Sequence, residues 1–191
     1  VYPKYKANRP QMPEDLQKQI PVIKEMVSAL HISALESEGY EADDILATVA
    51  TMAGSRGIET FIFSKDKDCL QIACSEIKIV KEENTTAYDS GKVRQTYGVE
   101  PSQLTDVMAL SGDSSDNIQG IPGVGIKTAA RLVQQFGSIE GILDNIEKVQ
   151  NLKLRENLKN FSGRISLNKK LILLDRNVPL KFDFDSLRSG E

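Results

Sequence analysis

Residues 60–81 read TFIFSKDKDCLQIACSEIKIVK. The run TFIFS, dense in β-branched and aromatic side chains, predicts a buried strand, and EIKIVK predicts a second. Upstream, ADDILATVATMA at 42–53 predicts a helix stopped by Gly54, and HISALES at 31–37 predicts another short strand. Strands alternating with helices predict an α/β fold with a mostly parallel sheet and flanking helices. If strand geometry continued past Ser64, Asp66 and Asp68 would point to one side, beyond a strand's C-terminal end, where such sheets place ligands.

Moving outward, Pro13 opens a helical stretch with Glu14 and Asp15 in its first turn. Leu16, Ile20, Ile23, Val27 and Leu30 form one apolar stripe, and Pro21 is expected to kink or interrupt it. Residues 1–12, with two Tyr, two Pro and three basic side chains, show no periodicity and read as the end of a loop. After Gly98 the pattern turns to successive helices with no convincing strand. The expected organisation is therefore a loop remnant at 1–12, an α/β lobe at 13–98 and a helical lobe at 99–191. The tail VPLKFDFDSL carries no assignment.

Charge is uneven. The net charge of −3 argues at first against a nucleic-acid partner, yet residues 31–116 hold 16 acidic and 7 basic side chains, whereas residues 117–170 hold 9 basic and 4 acidic. Carboxylates gathered in one place and a phosphate-binding face in another would give this division; so would two solvated surfaces. No run of about 18 apolar residues occurs, so no membrane helix is expected. Cys69 and Cys74 fit neither a disulfide framework nor a zinc motif, and read as apolar side chains of a reducing cytoplasm.

Three acidic clusters fall at element ends: Glu41, Asp43 and Asp44; Asp66 and Asp68; Asp113 and Asp116. Singly, each reads equally as a helix cap or as charge complementing a helix dipole. Seven such charges brought together would repel unless cations neutralised them. With His31 the sole histidine, all-oxygen ligands suit Mg²⁺ or Mn²⁺ rather than Zn²⁺. Two hard cations held a few ångströms apart make a phosphoryl-transfer site.

Residues 120–133, GIPGVGIKTAARLV, read as a tight turn into a helix, the core of a helix-hairpin-helix expected at 117–136. Gly123 and Gly125 permit positive φ and close backbone approach. Their amides and the following helix N-terminus would form an anion-binding concavity, with Lys127, Thr128 and Arg131 adding charge and a hydroxyl. A glycine-rich corner without ligand is the plain alternative.

Together, YKANRPQMPEDL (5–16), GYEADDILATVA (39–50), SKDKDCLQIA (64–73), residues 97–133 and FGSIEGIL (136–143) resemble the 5′ nuclease (flap endonuclease) superfamily, in particular the 5′–3′ exonuclease domain of bacterial DNA polymerase I. The resemblance implies metal ligation by Glu41, Asp43, Asp44, Asp66, Asp68, Asp113 and Asp116, with Asp44 acting through water. It implies stacking by Tyr5 and phosphate-steering, catalytic roles for Lys6 and Arg9 within a helical arch. It also implies two divalent ions, K⁺ at the hairpin, and DNA 5′ ends, flaps or RNA–DNA primers as partners of a monomer fused to a polymerase beyond Glu191. Two aspartate-bearing strands of the family's pattern are absent ahead of Val1. That absence leaves a rival reading, a non-catalytic DNA-binding module.

Overall fold

The computed structural model describes residues 2–81 and 86–187; Val1 of the loop remnant and the last four residues of the helical lobe lie outside them. Helix α1 (Glu14–Ala29) leads to α2 (Ala42–Gly54), β1 (Thr60–Phe63), a 3₁₀ turn (Lys67–Ile72), β2 (Ile77–Val80), β3 (Ala87–Tyr88) and α3 (Ser90–Tyr97). There follow α4 (Leu104–Ser111), β4 (Gly112–Asp113), β5 (Ile118–Gln119), α5 (Ile126–Phe136), α6 (Ile139–Asp144), α7 (Leu152–Asn160) and α8 (Ser162–Ile172). The sheet order is β1-β2-β3: β1 and β2 run parallel, Ile62 opposite Ile79, and β3 closes antiparallel on β2. One apolar core runs through both lobes, joining Ala47 of α2, Ile62 and Ile79 of the sheet, Leu110 of α4, Val133 of α5 and Ile165 of α8.

Four sequence-based expectations change. The run 31–37 forms no strand, because none of the described strands pairs with it and its side chains are mostly exposed. β1 is not buried on both faces: side chains alternate, so Ile62 faces the core while Phe61 and Phe63, on the opposite face, stand open. Of the kink or interruption expected at Pro21, the interruption does not occur: α1 continues through it. Proline removes one helical hydrogen bond, and on a helix with no buried residue water satisfies the freed carbonyl. Of its apolar stripe, Leu16, Ile23 and Leu30 are exposed, and Ile20 and Val27 half-buried. The helical lobe also holds a strand pair, β4 against β5, antiparallel with Asp113 opposite Ile118.

That small pair positions the site. Gly112 has φ +80°, and a Cβ there would stand 2.3 Å from the Gly120 nitrogen; a Cβ on Gly120 would stand 2.2 Å from the Ser111 carbonyl. Only two glycines let these backbones meet. Buried Asn168 of α8 fastens the same place, its amide donating to the carbonyls of Ala109 at 3.0 Å and Gln119 at 2.9 Å. Gly120→Ala is expected to destabilise by about 1–3 kcal/mol through backbone overpacking, seen as a lower denaturant midpoint; an unchanged midpoint would count against this contact.

Candidate metal centre

Three chain segments bring carboxylates to one place. Asp66 caps the 3₁₀ turn, its Oδ1 accepting from the Asp68 amide at 2.9 Å. Strand geometry therefore ends before Asp66, and the two side chains are set by a cap rather than by pleat. The turn drives Asp68 inward, against Asp113 at the end of β4 and Asp116 in the β4–β5 loop. Oxygens of Asp68, Asp113 and Asp116 lie within 4.8 Å of one another, all three side chains buried.

Each carboxylate has a distinct local balance. Burial first, then the charges of Asp66, Asp113 and Asp116, pushes the Asp68 carboxyl up to about 7, against the pull of Lys67. Its buried Oδ1 has no hydrogen-bond partner. Burial also raises Asp113, but the Ser115 hydroxyl at 2.5 Å and the Lys67 ammonium at 3.0 Å outweigh it and hold the carboxyl below its ordinary value. Asp116 accepts from Arg9 at 2.6 Å and from the Tyr5 hydroxyl at 3.3 Å.

The remaining sequence candidates line the same open cleft of about 710 Å³: Glu41, Asp43, Asp44 and Asp66, with Tyr5 and Lys6. They stand outside the tight trio. Glu41 and Asp44 form a capping box at the start of α2. Asp44 accepts from the Glu41 amide at 3.2 Å and from the Asp175 amide at 2.9 Å, one bond to each oxygen, which fixes its orientation and leaves each oxygen one further lone pair. Burial, then Asp66, raises the Asp43 carboxyl, which accepts from the Cys69 thiol at 3.6 Å; burial pushes that buried thiol up to about 12. Burial also lifts the Tyr5 hydroxyl to about 12. Burial would lower Lys6, but its hydrogen bonds to Glu41 and Tyr5 raise it.

Sequence reasoning missed the far wall of the cleft, residues 170–177. Buried Gln71 anchors it, donating to the Ile172 carbonyl at 3.1 Å and accepting from the Leu174 amide at 3.1 Å. No sequence pattern announces such a bridge. Lys67 was also missed, although its place between Asp66 and Asp68 was a signal.

At the hairpin, Gly123 takes φ +80°. Gly125 does not: at φ −92° it is the N-cap of α5, which any residue could adopt. A Cβ there would meet nothing within 4 Å, so packing inside the chain does not demand glycine. Ile121 and Val124 are buried beneath the turn. Lys127 and Arg131 are exposed on the first turns of α5, and Thr128 is half-buried.

Buried like charges, an orphaned oxygen and all-oxygen donors fit a hard cation. The sequence matches two family descriptions: "5′-3′ exonuclease, N-terminal resolvase-like domain" over residues 1–98 and "5′-3′ exonuclease, C-terminal SAM fold" over residues 99–191. The chain belongs to the 5′–3′ exonuclease family, a family of nucleases. Its relatives include DNA polymerase I of Bacillus subtilis, 39% identical, and of Bacillus caldotenax, 37% identical, each over 98% of this chain. The chain spans about a fifth of their length, 22%. The fold resembles the T5 D15 protein co-crystallised with metal ions, with TM-score 0.75 and 22% identity over 91% of this chain and 68% of that one. It also resembles the catalytic core of Rad2 in complex with DNA substrate, with TM-score 0.56 and 16% identity over 92% of this chain and 62% of that one.

The raised Asp68 value has a consequence for stability. Between its ordinary value of 3.8 and about 7, the folded chain holds a proton that the unfolded chain has lost, so stability falls as pH rises through that window. With chelator present, Asp68→Asn is expected to melt above wild type at pH 8, by about 2–4 °C for each kcal/mol relieved, and to converge with it near pH 4. Thermal melts at both values decide it; a variant less stable at pH 8 would contradict the assignment.

Proposed function

We propose that this chain is the metal-dependent core of a structure-selective 5′ nuclease that hydrolyses DNA phosphodiester bonds at 5′ ends and flaps, with RNA–DNA primers as further substrates. The observation that carries the reading is the unpartnered, buried Asp68 Oδ1 within the Asp68–Asp113–Asp116 trio, at a cleft that also presents Lys6. Asp66, Asp68, Asp113 and Asp116 would hold one ion, Mg²⁺ or Mn²⁺, and Glu41 and Asp43 would face a second, with Asp44 acting through water. Divalent cations, when bound, supply electrostatic stabilisation of the attacking and leaving oxygens.

The chain's own residues do the rest. Lys6 and Arg9, now paired with Glu41 and Asp116, are cations within reach of the acidic site. There they would steer the scissile phosphate once the carboxylates have other partners. Tyr5, with Lys6 Nζ 4.8 Å over its ring, offers a face for an unpaired base. The open space at Gly125, the first-turn amides of α5 and the side chains of Lys127, Thr128 and Arg131 would receive the DNA backbone as a helix-hairpin-helix, with K⁺ bridging backbone oxygens to a phosphate. Relatives named DNA polymerase I are longer, which supports a polymerase fused to this unit; a monomer working in the cytoplasm completes the proposal.

Two experiments test the reading in the full-length protein. With Mg²⁺ and a flap substrate, Asp113→Ala or Asp116→Ala is expected to cut at least about a hundredfold more slowly while binding DNA nearly as well. Wild-type turnover in either variant refutes their role. Lys127→Ala is expected to weaken binding equally on unrelated sequences and to lower the slope of log K against log salt by up to about one. Fluorescence anisotropy across salt measures it, and a sequence-dependent loss would sink the backbone-clamp assignment.

A further inference from the structure

Lys67 joins the carboxylate trio to the hairpin side of the molecule. It opens the 3₁₀ turn between Asp66 and Asp68, and its ammonium is 3.0 Å from Asp113 Oδ2. The other Asp113 oxygen is occupied: Oδ1 accepts from the Ser115 amide at 3.0 Å and its hydroxyl at 2.5 Å. The oxygen that Asp113 has left to offer a metal is therefore the one on which Lys67 rests. On its other side, Lys67 borders an open groove of about 550 Å³ that also touches Asp113, Ser114, Gly125 and Ile126. The lysine side chain is 38% exposed against 4% for Asp113, so its head can leave the pair with little desolvation change while the carboxylate cannot.

We propose, resting on the metal-centre reading above, that Lys67 is a positioning residue that exchanges partners: it neutralises Asp113 in the ion-free protein and passes to a DNA phosphate in the groove beside the hairpin when a divalent cation takes Asp113. An ammonium and a dication at one carboxylate oxygen repel, and the groove offers the released lysine a phosphate beside the Gly125 and Ile126 amides. Metal loading thereby strengthens DNA binding, and by reciprocity DNA strengthens metal binding.

The test uses the full-length protein, Mn²⁺ and a flap DNA. Electron paramagnetic resonance titration counts only Mn²⁺ lost in Asp113→Ala. Lys67→Met is expected to tighten that site by about threefold, the scale of a partly exposed ion pair. With Ca²⁺ in place of Mg²⁺ to hold off cutting, the same variant is expected to lower the salt slope of flap binding by about one relative to wild type. In chelator the two slopes are expected to coincide. Lys67→Arg, which keeps the charge, is expected to keep the wild-type slope in Ca²⁺. Unchanged or weaker Mn²⁺ binding in Lys67→Met overturns the exchange and leaves the metal centre standing, as does an arginine variant that behaves like the methionine one. A wild-type protein with no Asp113-dependent Mn²⁺ overturns both.

Discussion

Mutual repulsion of buried carboxylates is the constraint on which the rest of this structure turns. Asp68, Asp113 and Asp116 come within 4.8 Å of one another under burial, an arrangement no polypeptide adopts for its own stability. The chain answers with cations of its own, Lys67 on Asp113 and Arg9 with Lys6 on Asp116. Still, one oxygen of Asp68 is left without a partner. The trio thus remains incompletely neutralised after three of the chain's own cations have been committed, a balance that a hard external cation would complete.

Holding the trio against its repulsion takes a rigid frame, and the frame is backbone. Gly112 and Gly120 meet main chain to main chain, and Asn168 ties the end of α4 to β5. Gln71 and Thr48 fasten residues 172–178 across the top of α2 and the 3₁₀ turn. The opening segment is fixed by the same loop that it neutralises: the Lys6 amide donates to the Asp116 carbonyl at 3.0 Å, and Asn117 donates to the Lys4 carbonyl at 2.7 Å. Residues 2–9 are thus ordered largely by what they touch.

The exposed apolar side chains of α1 and β1 show the other side of the same principle. Phe61 and Phe63 have full strand character, yet burial requires an element packed over their face, and only the opposite face, that of Ile62, is covered. Strand propensity is satisfied; strand burial is not. HISALES finds no pairing partner among the described strands, and His31 takes φ +54° at its start. Pro21 does not interrupt α1, since a helix with no buried residue leaves the freed carbonyl open to water.

What the sequence alone determined is whatever depends on local order: α2 and its stop at Gly54, the strand character of 60–63 and 77–80, the turn into α5, and membership in an acidic-site nuclease family from several motifs in series. The seven carboxylates were legible because each sits at an element end, where polar side chains cap and turn. Which of them meet was not legible. Asp68 joins Asp113 and Asp116 across some 45 residues, whereas Asp66, two positions away, is drawn aside into a cap. That choice is made by a capped 3₁₀ turn rather than by strand pleat, and by a glycine contact that closes only when β4 and β5 pack. The far wall at 170–177 and the double position of Lys67 belong to tertiary structure as well, because a hydrogen bond from Gln71 to residue 172 and a lysine shared between Asp113 and a groove leave no periodic trace in the chain.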